Sequence, residues 1–316
     1  MIALVTGATG FVGRNVVKAL CARGMQVRCL IHHPGREAVM ADQDVDVHYG
    51  SIGDPEALRA AFYNLDVVVH LVAVIRESGK ATFHEVNLRG TENVVAVAKQ
   101  EGVKHLVYVS AIGAAADTRY PYLYSKWKAE QAVTGSGLPY TILRPSVLFG
   151  EGDEFTNTLA GLVRAFPVVP IAGSGKNRFQ PIAVDELARC VAEAAGNAEM
   201  MDSTIEVGGP DHLSYNDVVD IIAQTYGLRR LQLHIPVPIM RPVVKLMETL
   251  LPKSPVTAGQ LRMLPVENIT QLNAVREVFG FDPRPLQGNI EYIKGIGALD
   301  GLRIAIGLMP KHIRDH

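Results

Sequence analysis

Two groups of residues in this sequence have types and spacings that could do chemistry. The first is Thr6-Gly7-Ala8-Thr9-Gly10-Phe11-Val12-Gly13, a GxxGxxG run directly after an apolar stretch. Such a loop suits a pyrophosphate. One glycine permits a tight turn, a second lets backbone approach the phosphates, and a third allows close helix–strand packing. A helix opening there also offers unpaired N–H groups and the positive end of its dipole. Glycines alone make only a turn, so the flanking strand and helix carry the reading. The second group is two overlapping YxxxK patterns, Tyr122 with Lys126 and Tyr124 with Lys128. Each pair is four residues apart and shares a helix face. An ordinary aromatic–lysine face has the same spacing, and either register stays open on spacing alone.

The elements that must position these residues are legible from periodicity. Apolar, β-rich runs at 2–6, 26–31, 45–49, 67–72, 105–110 and 141–143 read as strands. Most are rich in Val, Ile and Leu, as expected of parallel strands buried on both faces. Helical patterns at 14–23, 55–62, 82–100 and 122–134 alternate with them, and Gly24 and Gly102 follow two of these as C-terminal caps. The alternation predicts an α/β fold, a Rossmann-type doubly wound parallel sheet. After Arg144 prolines and glycines become frequent, with added strands at 204–207 and 232–235 and helices at 185–195 and 214–226, Ser214 being a helix N-cap. This places a nucleotide-binding domain over 1–150, with about 176–200 returning to it. A smaller α+β substrate lobe and C-terminal tail occupy 151–316.

Composition narrows the function. The chain has 316 residues, 48% hydrophobic and 20% charged, with a net charge of -1. No global field therefore recruits nucleic acid or acidic membranes. Cys21, Cys29 and Cys190 are scattered, with no CxxC or His/Cys cluster, so neither a disulfide framework nor a metal site is expected. The first strand begins one residue after Met1, leaving no room for a leader, and no apolar run reaches the ~18 residues of a membrane span. A cytoplasmic location is the expectation.

The TGxxGxxG loop at the start of the chain resembles that of the short-chain dehydrogenase/reductase superfamily, in its extended or atypical, epimerase/dehydratase-like branches. His70-Leu71-Val72-Ala73 resembles the end of that family's fourth strand. Val86-Asn87-Leu88-Arg89-Gly90-Thr91-Glu92-Asn93 resembles its "VNxxGTxN" helix, and Arg144-Pro145-Ser146-Val147-Leu148-Phe149-Gly150 its "RPxxxFG" segment. The run from Phe179 to Leu187 resembles the segment that re-enters the nucleotide domain. Arg178-Phe179-Gln180-Pro181 and the compact interval from Ser110 to Tyr122 point to the group related to the nucleotide-binding accessory subunit of respiratory complex I.

The resemblance implies roles. Only Tyr122, Ser125, Lys126, Ala129 and Glu130 fit the family's YxxSKxxAE signature, which makes Tyr122 the acid/base and Lys126 its partner. An unperturbed phenol titrates near pH ~10, so a neighbouring ammonium and a cationic nicotinamide would favour phenolate. Cofactor contacts fall on Gly7, Thr9, Gly10, Phe11, Val12, Gly13, Ser51, Ile52, Leu71, Val72, Ala73, Tyr122, Lys126 and Pro145. The acid that binds the 2′-OH of NAD after the second strand is missing from Leu30-Ile31-His32-His33-Pro34-Gly35-Arg36. His32 or Arg36 would suit a 2′-phosphate, favouring NADP(H) with NAD(H) as the alternative. The family's substrate-binding hydroxyl falls on Ala111, with Ser110 one residue early. Within a strand that shift turns a side chain to the other face, so Ser110 serves only if the strand has ended. The leading function is oxidoreduction of a small, apolar carbonyl or alcohol. The alternatives are a non-catalytic nucleotide-binding scaffold or assembly factor, motivated by Ala111, and a nucleotide-sugar epimerase or dehydratase.

Residues 236–252 carry Ile239, Met240, Val243, Val244, Leu246, Met247, Leu250 and Leu251, near Arg241, Lys245 and Lys253. This is a helix that covers the lobe's core, lines an apolar pocket, or contacts a membrane surface or protein partner. Residues 302–313 repeat a weaker version, and 273–280 and 285–293 read as closing helices. The oligomeric state stays open.

Overall fold

The computed structural model describes residues 1–251 and 254–314. Six strands follow one another through the first half of the chain: β1 (Ile2–Thr6), β2 (Gln26–Ile31), β3 (Val45–Tyr49), β4 (Val67–His70), β5 (His105–Val109) and β6 (Tyr140–Pro145). With the later strand Ser203–Val207 they form one seven-stranded sheet, ordered 203–207, β6, β5, β4, β1, β2, β3. Every pairing is parallel. The chain runs outward from β1 in both directions, through β2 on one side and β4 on the other. A dinucleotide fold binds its ligand at the carboxyl ends of the strands at such a reversal.

Burial on both faces explains the continuous apolar runs. Leu4, Leu30, Val68, Leu106 and Ile142 share a core cluster with residues of α2 (Pro55–Phe62), α3 (Gly90–Gln100) and α4 (Pro121–Thr134). Helix α1 (Phe11–Ala22) packs instead against the helix Val184–Gly196. Two compact units result: Met1–Pro145 with Val184–Val207, and Ser146–Ala183 with the chain from Gly208 onward. The segment grouped with the first unit thus lies at 184–207, later than 176–200. Its strand is not an addition to the second lobe: Ser203 pairs with Thr141 and Val207 with Pro145 along β6. That long-range pairing leaves no mark in the local sequence.

Four element readings need correction. The strand over 67–72 stops at His70, and that over 105–110 stops at Val109, which puts Ser110 outside the sheet's alternation. The helix over 82–100 is two pieces, a π-helical turn at Phe83–Arg89 leading into α3. Thr82 caps the turn by accepting the Glu85 N–H at 3.1 Å. Residues 285–293 form no α-helix: a 3₁₀ turn at Glu291–Gly295 follows Pro285 and Gly288, both poor continuers of a helix.

In the second unit, helices Phe155–Ala165 and Tyr215–Thr225 enclose a core containing Val163, Ile171, Val218, Ile222, Ile293 and Ile304. The strand Leu231–Ile235 pairs in parallel with Val168–Ala172. Ile304 belongs to the tail, whose helix Ala298–Ala305 docks on Phe155–Ala165 where two glycines meet. A Cβ on Gly301 would lie 2.2 Å from the Gly161 carbonyl, so only glycine permits that approach. The apolar stretch at 236–252 is a helix over Val237–Leu250. Its expected last residue, Pro252, and the flanking Lys253 lie outside the described residues. Among the described residues, no helix is long and apolar enough to cross a membrane, and no cluster of His, Cys, Asp and Glu could hold a metal ion.

Candidate functional site

The phosphate loop is shaped by backbone contacts. Gly7 has φ +76, a left-handed conformation that favours glycine, and Val72 packs over it, 3.2 Å from where a Cβ would stand. Gly13 allows the closest approach: its Cβ would lie 2.0 Å from the Gly7 carbonyl and 2.7 Å from Ala8 Cα. Gly10 differs. The Gly7 carbonyl, at 3.3 Å, is the sole neighbour within 4 Å of a Cβ there. The protein's own packing therefore crowds position 10 far less than position 13, whereas a close-lying pyrophosphate would need glycine there. Gly10 is also the N-cap of α1 and supplies no side-chain cap to Phe11, Val12 or Gly13. The loop thus fits a dinucleotide phosphate.

A chain of buried polar contacts fixes the strand ends behind this loop. The Thr6 hydroxyl lies 2.7 Å from His70 Nδ1, and His70 Nε2 lies 3.0 Å from Thr91 Oγ1. Thr91 spends its only hydrogen on the Asn87 carbonyl at 2.7 Å. His70 Nε2 must therefore carry a proton and donate to Thr91, while Nδ1 accepts from Thr6. The ring is neutral. Burial, with some help from the Lys126 charge, pushes its pKa down to about 3.

Asn87, on the π-helical turn, binds the Val74 peptide both ways: its Nδ2 donates to the Val74 carbonyl at 3.0 Å and its Oδ1 accepts the Val74 N–H at 2.8 Å. The same Nδ2 donates to Ser125 Oγ at 3.0 Å, and Ser125 donates to the Tyr122 carbonyl at 2.7 Å. At Gly90 a Cβ would meet Ile52 Cδ1 at 2.3 Å, and Asn93 holds the Ile52 carbonyl at 2.9 Å. The motif from Asn87 to Asn93 thus ties together the loop after β4, the turn after β3 and α4.

Lys126 is 2% exposed; its Nζ donates to the Val109 carbonyl at 2.7 Å and sits 4.3 Å from the Tyr108 ring centroid. Burial lowers its pKa to about 7, with Glu130 acting in the other direction. Desolvation raises the Tyr122 phenol to about 12. The protein alone keeps it protonated, because its surroundings penalise the phenolate more than the amine stabilises it. Tyr122 is partly buried beside Phe83, ring centroids 5.9 Å apart. Tyr124 lies elsewhere, stacked at 5.7 Å on Trp127 with Lys128 near both rings. Glu130 is buried and grips Arg144 through two bonds of 2.8 and 2.6 Å, locking α4 to β6. Beyond the end of β5, Ser110 is 5% exposed and its hydroxyl has no hydrogen-bond partner among the described residues. The Ser110 N–H is held by the Leu143 carbonyl at 2.7 Å, and Ile112 N–H by the Pro145 carbonyl at 3.0 Å. Leu71, Val72 and Ala73 lie in the partly exposed loop after β4.

His32, His33 and Arg36 are exposed just past β2, the two imidazole centroids 4.1 Å apart. Sequence reading missed the clasp beside them. Glu37 accepts the Gly35 N–H at 2.7 Å and the Tyr49 hydroxyl at 2.9 Å, which fixes the turn carrying Arg36. Tyr49 is twelve positions away on the neighbouring strand, and no local signal joins them. Ser51 closes its own turn by accepting the Gly53 N–H at 3.1 Å.

In the second unit, Gln180 of the Arg178–Pro181 run is fully buried. It donates to the Gly209 carbonyl at 2.7 Å and accepts the Thr270 N–H at 2.6 Å. Ser146 and Val147 hold the Asn268 amide oxygen at 2.7 and 2.8 Å, and Arg178 pairs twice with Glu267 at 2.7 Å. The segment 267–271 is therefore clamped at several points.

Comparison with known proteins follows the same lines. Residues 7–198 match the NAD(P)H-binding family. The chain is 28% identical over 285 residues to NADH dehydrogenase (ubiquinone) 1 alpha subcomplex subunit 9, mitochondrial, of Arabidopsis thaliana, covering 87% of this chain and 69% of that protein. It is 30% identical over 206 residues to the ceramide reductase of Caulobacter vibrioides, covering 64% of each. The crystal structure of an NADPH-dependent quinone oxidoreductase from Escherichia coli, complexed with NADPH, shares its fold with a TM-score of 0.75 at 18% identity, over 93% of this chain and 99% of that one.

Proposed function

Since the chain belongs to the NAD(P)H-binding family, in the extended short-chain dehydrogenase/reductase group that includes the complex I accessory subunits, we propose that it is an NADP(H)-dependent oxidoreductase of a small apolar ketone or alcohol. One observation carries the catalytic part: a buried Ser110 hydroxyl without a partner, next to the Val109 carbonyl that holds Lys126. A buried polar group left unpaired costs about 1–3 kcal/mol, and a substrate oxygen would satisfy it.

The bound nicotinamide supplies a hydride to the substrate's carbonyl carbon. Ser110 donates a hydrogen bond to the carbonyl oxygen in place of the hydroxyl that Ala111 lacks. This is open to it because β5 ends at Val109. Tyr122, whose phenol burial keeps protonated at neutral pH, gives its proton to that oxygen as the alcohol forms. Lys126 is anchored to Val109, and a cationic amine there limits the cost of the phenolate left behind. The phosphate loop holds the pyrophosphate. Arg36 and His32 would bind the 2′-phosphate; Glu37 beside them is engaged by the Gly35 N–H and the Tyr49 hydroxyl. The name of the Caulobacter relative supports an apolar, lipid-like substrate. Scattered free cysteines support a reducing, cytoplasmic setting.

The second reading, a nucleotide-binding structural component, is favoured by Ala111 and by the similarity to the mitochondrial subunits. Screening apolar ketones with the purified protein separates the two. The oxidoreductase reading predicts sustained NADPH oxidation with stoichiometric alcohol, and weaker binding of NADH than of NADPH by calorimetry. Tight NADPH binding with no turnover across the panel assigns the protein to the second reading.

A further inference from the structure

Within the second unit the chain makes an excursion over 236–266, between the strand Leu231–Ile235 and the clamped segment 267–271, so both ends of it are fixed. Between them lie the helices Val237–Leu250 and Ala258–Met263. At about 3.6 residues per turn, Ile239, Val243, Leu246 and Leu250 fall within a sector of roughly 60°. Their exposures are 61, 54, 59 and 70%. Val244 sits on another side and is 3% exposed, so the helix is already seated in the protein through residues that the stripe does not include. Arg241, Lys245 and Glu248, all exposed, lie on the side turned away from the stripe. The first helix is therefore docked, and a second apolar side of it faces outward.

Charge decides what covers that side. Among the described residues of the excursion, Arg241, Lys245 and Arg262 stand against Glu248 alone, a balance of +2 in a chain whose net charge is -1. Glu248 also accepts the Ala258 N–H at 3.2 Å, at the positive end of the second helix. A two-fold contact between copies would set this positive surface against itself, and like charges repel. A bilayer carrying anionic lipid attracts it, and four exposed aliphatic side chains can enter the acyl boundary while the cationic side chains stay in the headgroup layer. We propose that the exposed apolar side of the helix Val237–Leu250 is a membrane-surface anchor for anionic lipid. The inference stands apart from the catalytic reading, since it uses none of the residues in the phosphate loop or on α4.

The test is co-sedimentation of the full chain with phosphatidylcholine vesicles and with vesicles of phosphatidylcholine and phosphatidylglycerol. The anionic vesicles should retain the protein, neutral ones should not, and added salt should release it. Arg241→Gln and Lys245→Gln should each weaken binding about fivefold. Leu246→Asp should abolish it while NADPH affinity and thermal midpoint stay at wild-type values. Leu272→Ser, at a 52% exposed leucine outside the excursion, should change nothing. Equal retention by both vesicles, no retention by either, or undiminished binding of Leu246→Asp overturns the proposal. So does a concentration-dependent dimer that Leu246→Asp dissolves, which would give the face to a second copy.

Discussion

The phosphate loop and the region around α4 are made of different materials. From Gly7 to Gly13 the fit comes from main chain: a left-handed turn, a carbonyl that a Cβ would strike, and a helix end without a side-chain cap. Around α4 the proposed chemistry rests on three side chains, Tyr122, Lys126 and Ser110. Thr6, His70, Thr91 and Asn87 satisfy one another, whereas the buried Tyr108 hydroxyl finds no partner among the described residues. The Ser110 hydroxyl is left over. Cofactor binding can therefore outlast changes that end turnover, and variants at the two regions should separate binding from rate.

The largest effect on rate short of removing the acid is expected at Ser110. Losing one preorganised donor to a developing oxyanion costs on the order of 10²–10³ in rate. Ser110→Ala should lower turnover by that factor while leaving NADPH affinity intact by calorimetry. The same variant should be neutral or slightly stabilising, since it removes an unpaired buried hydroxyl. Full activity in Ser110→Ala would show that another group fills the role.

The loop glycines should split in the opposite sense. Gly13→Ala places a methyl 2.0 Å from a carbonyl and should cost about 1–3 kcal/mol of stability, read by denaturant titration. Gly10→Ala meets one atom at 3.3 Å. It should keep the wild-type melting temperature and lose NADPH affinity. Equal affinity in Gly10→Ala would place the pyrophosphate elsewhere.

The smallest effect is a pH slope from His70. Its folded pKa of about 3 lies below the ordinary 6.5. Between these values the unfolded chain binds a proton that the folded chain does not, so stability falls as pH falls through that window. The contribution approaches ~1.4 kcal/mol per pH unit. His70→Asn should be less stable at neutral pH and should show a shallower loss from 6.5 downward. Parallel curves for the two proteins would contradict a neutral buried ring.

How much of this was legible beforehand follows from range. The strands from β1 to β6 and the glycine loop are local patterns, and the sequence carries them in consecutive residues. The motif from Asn87 to Asn93 was visible as a string, but its purpose, joining Val74, Ile52 and Ser125, is tertiary. The pairing of 203–207 with β6, the π-helical turn, and the Glu37–Tyr49 clasp rest on contacts between distant residues or on a wider turn that periodicity cannot register. The rise in the Tyr122 pKa is tertiary too. Desolvation depends on everything packed around the ring, whereas the sequence shows only the lysine four residues on.

Replacing Tyr122 and Tyr124 one at a time by phenylalanine tests the central claim most directly, with NADPH binding and steady-state turnover measured on the same preparations. Both substitutions remove one hydroxyl and little else. The account predicts wild-type NADPH affinity in both, turnover lowered ~10²–10⁴ in Tyr122→Phe, and near-normal turnover in Tyr124→Phe, whose ring stacks on Trp127. Normal turnover in Tyr122→Phe beside a dead Tyr124→Phe would contradict it.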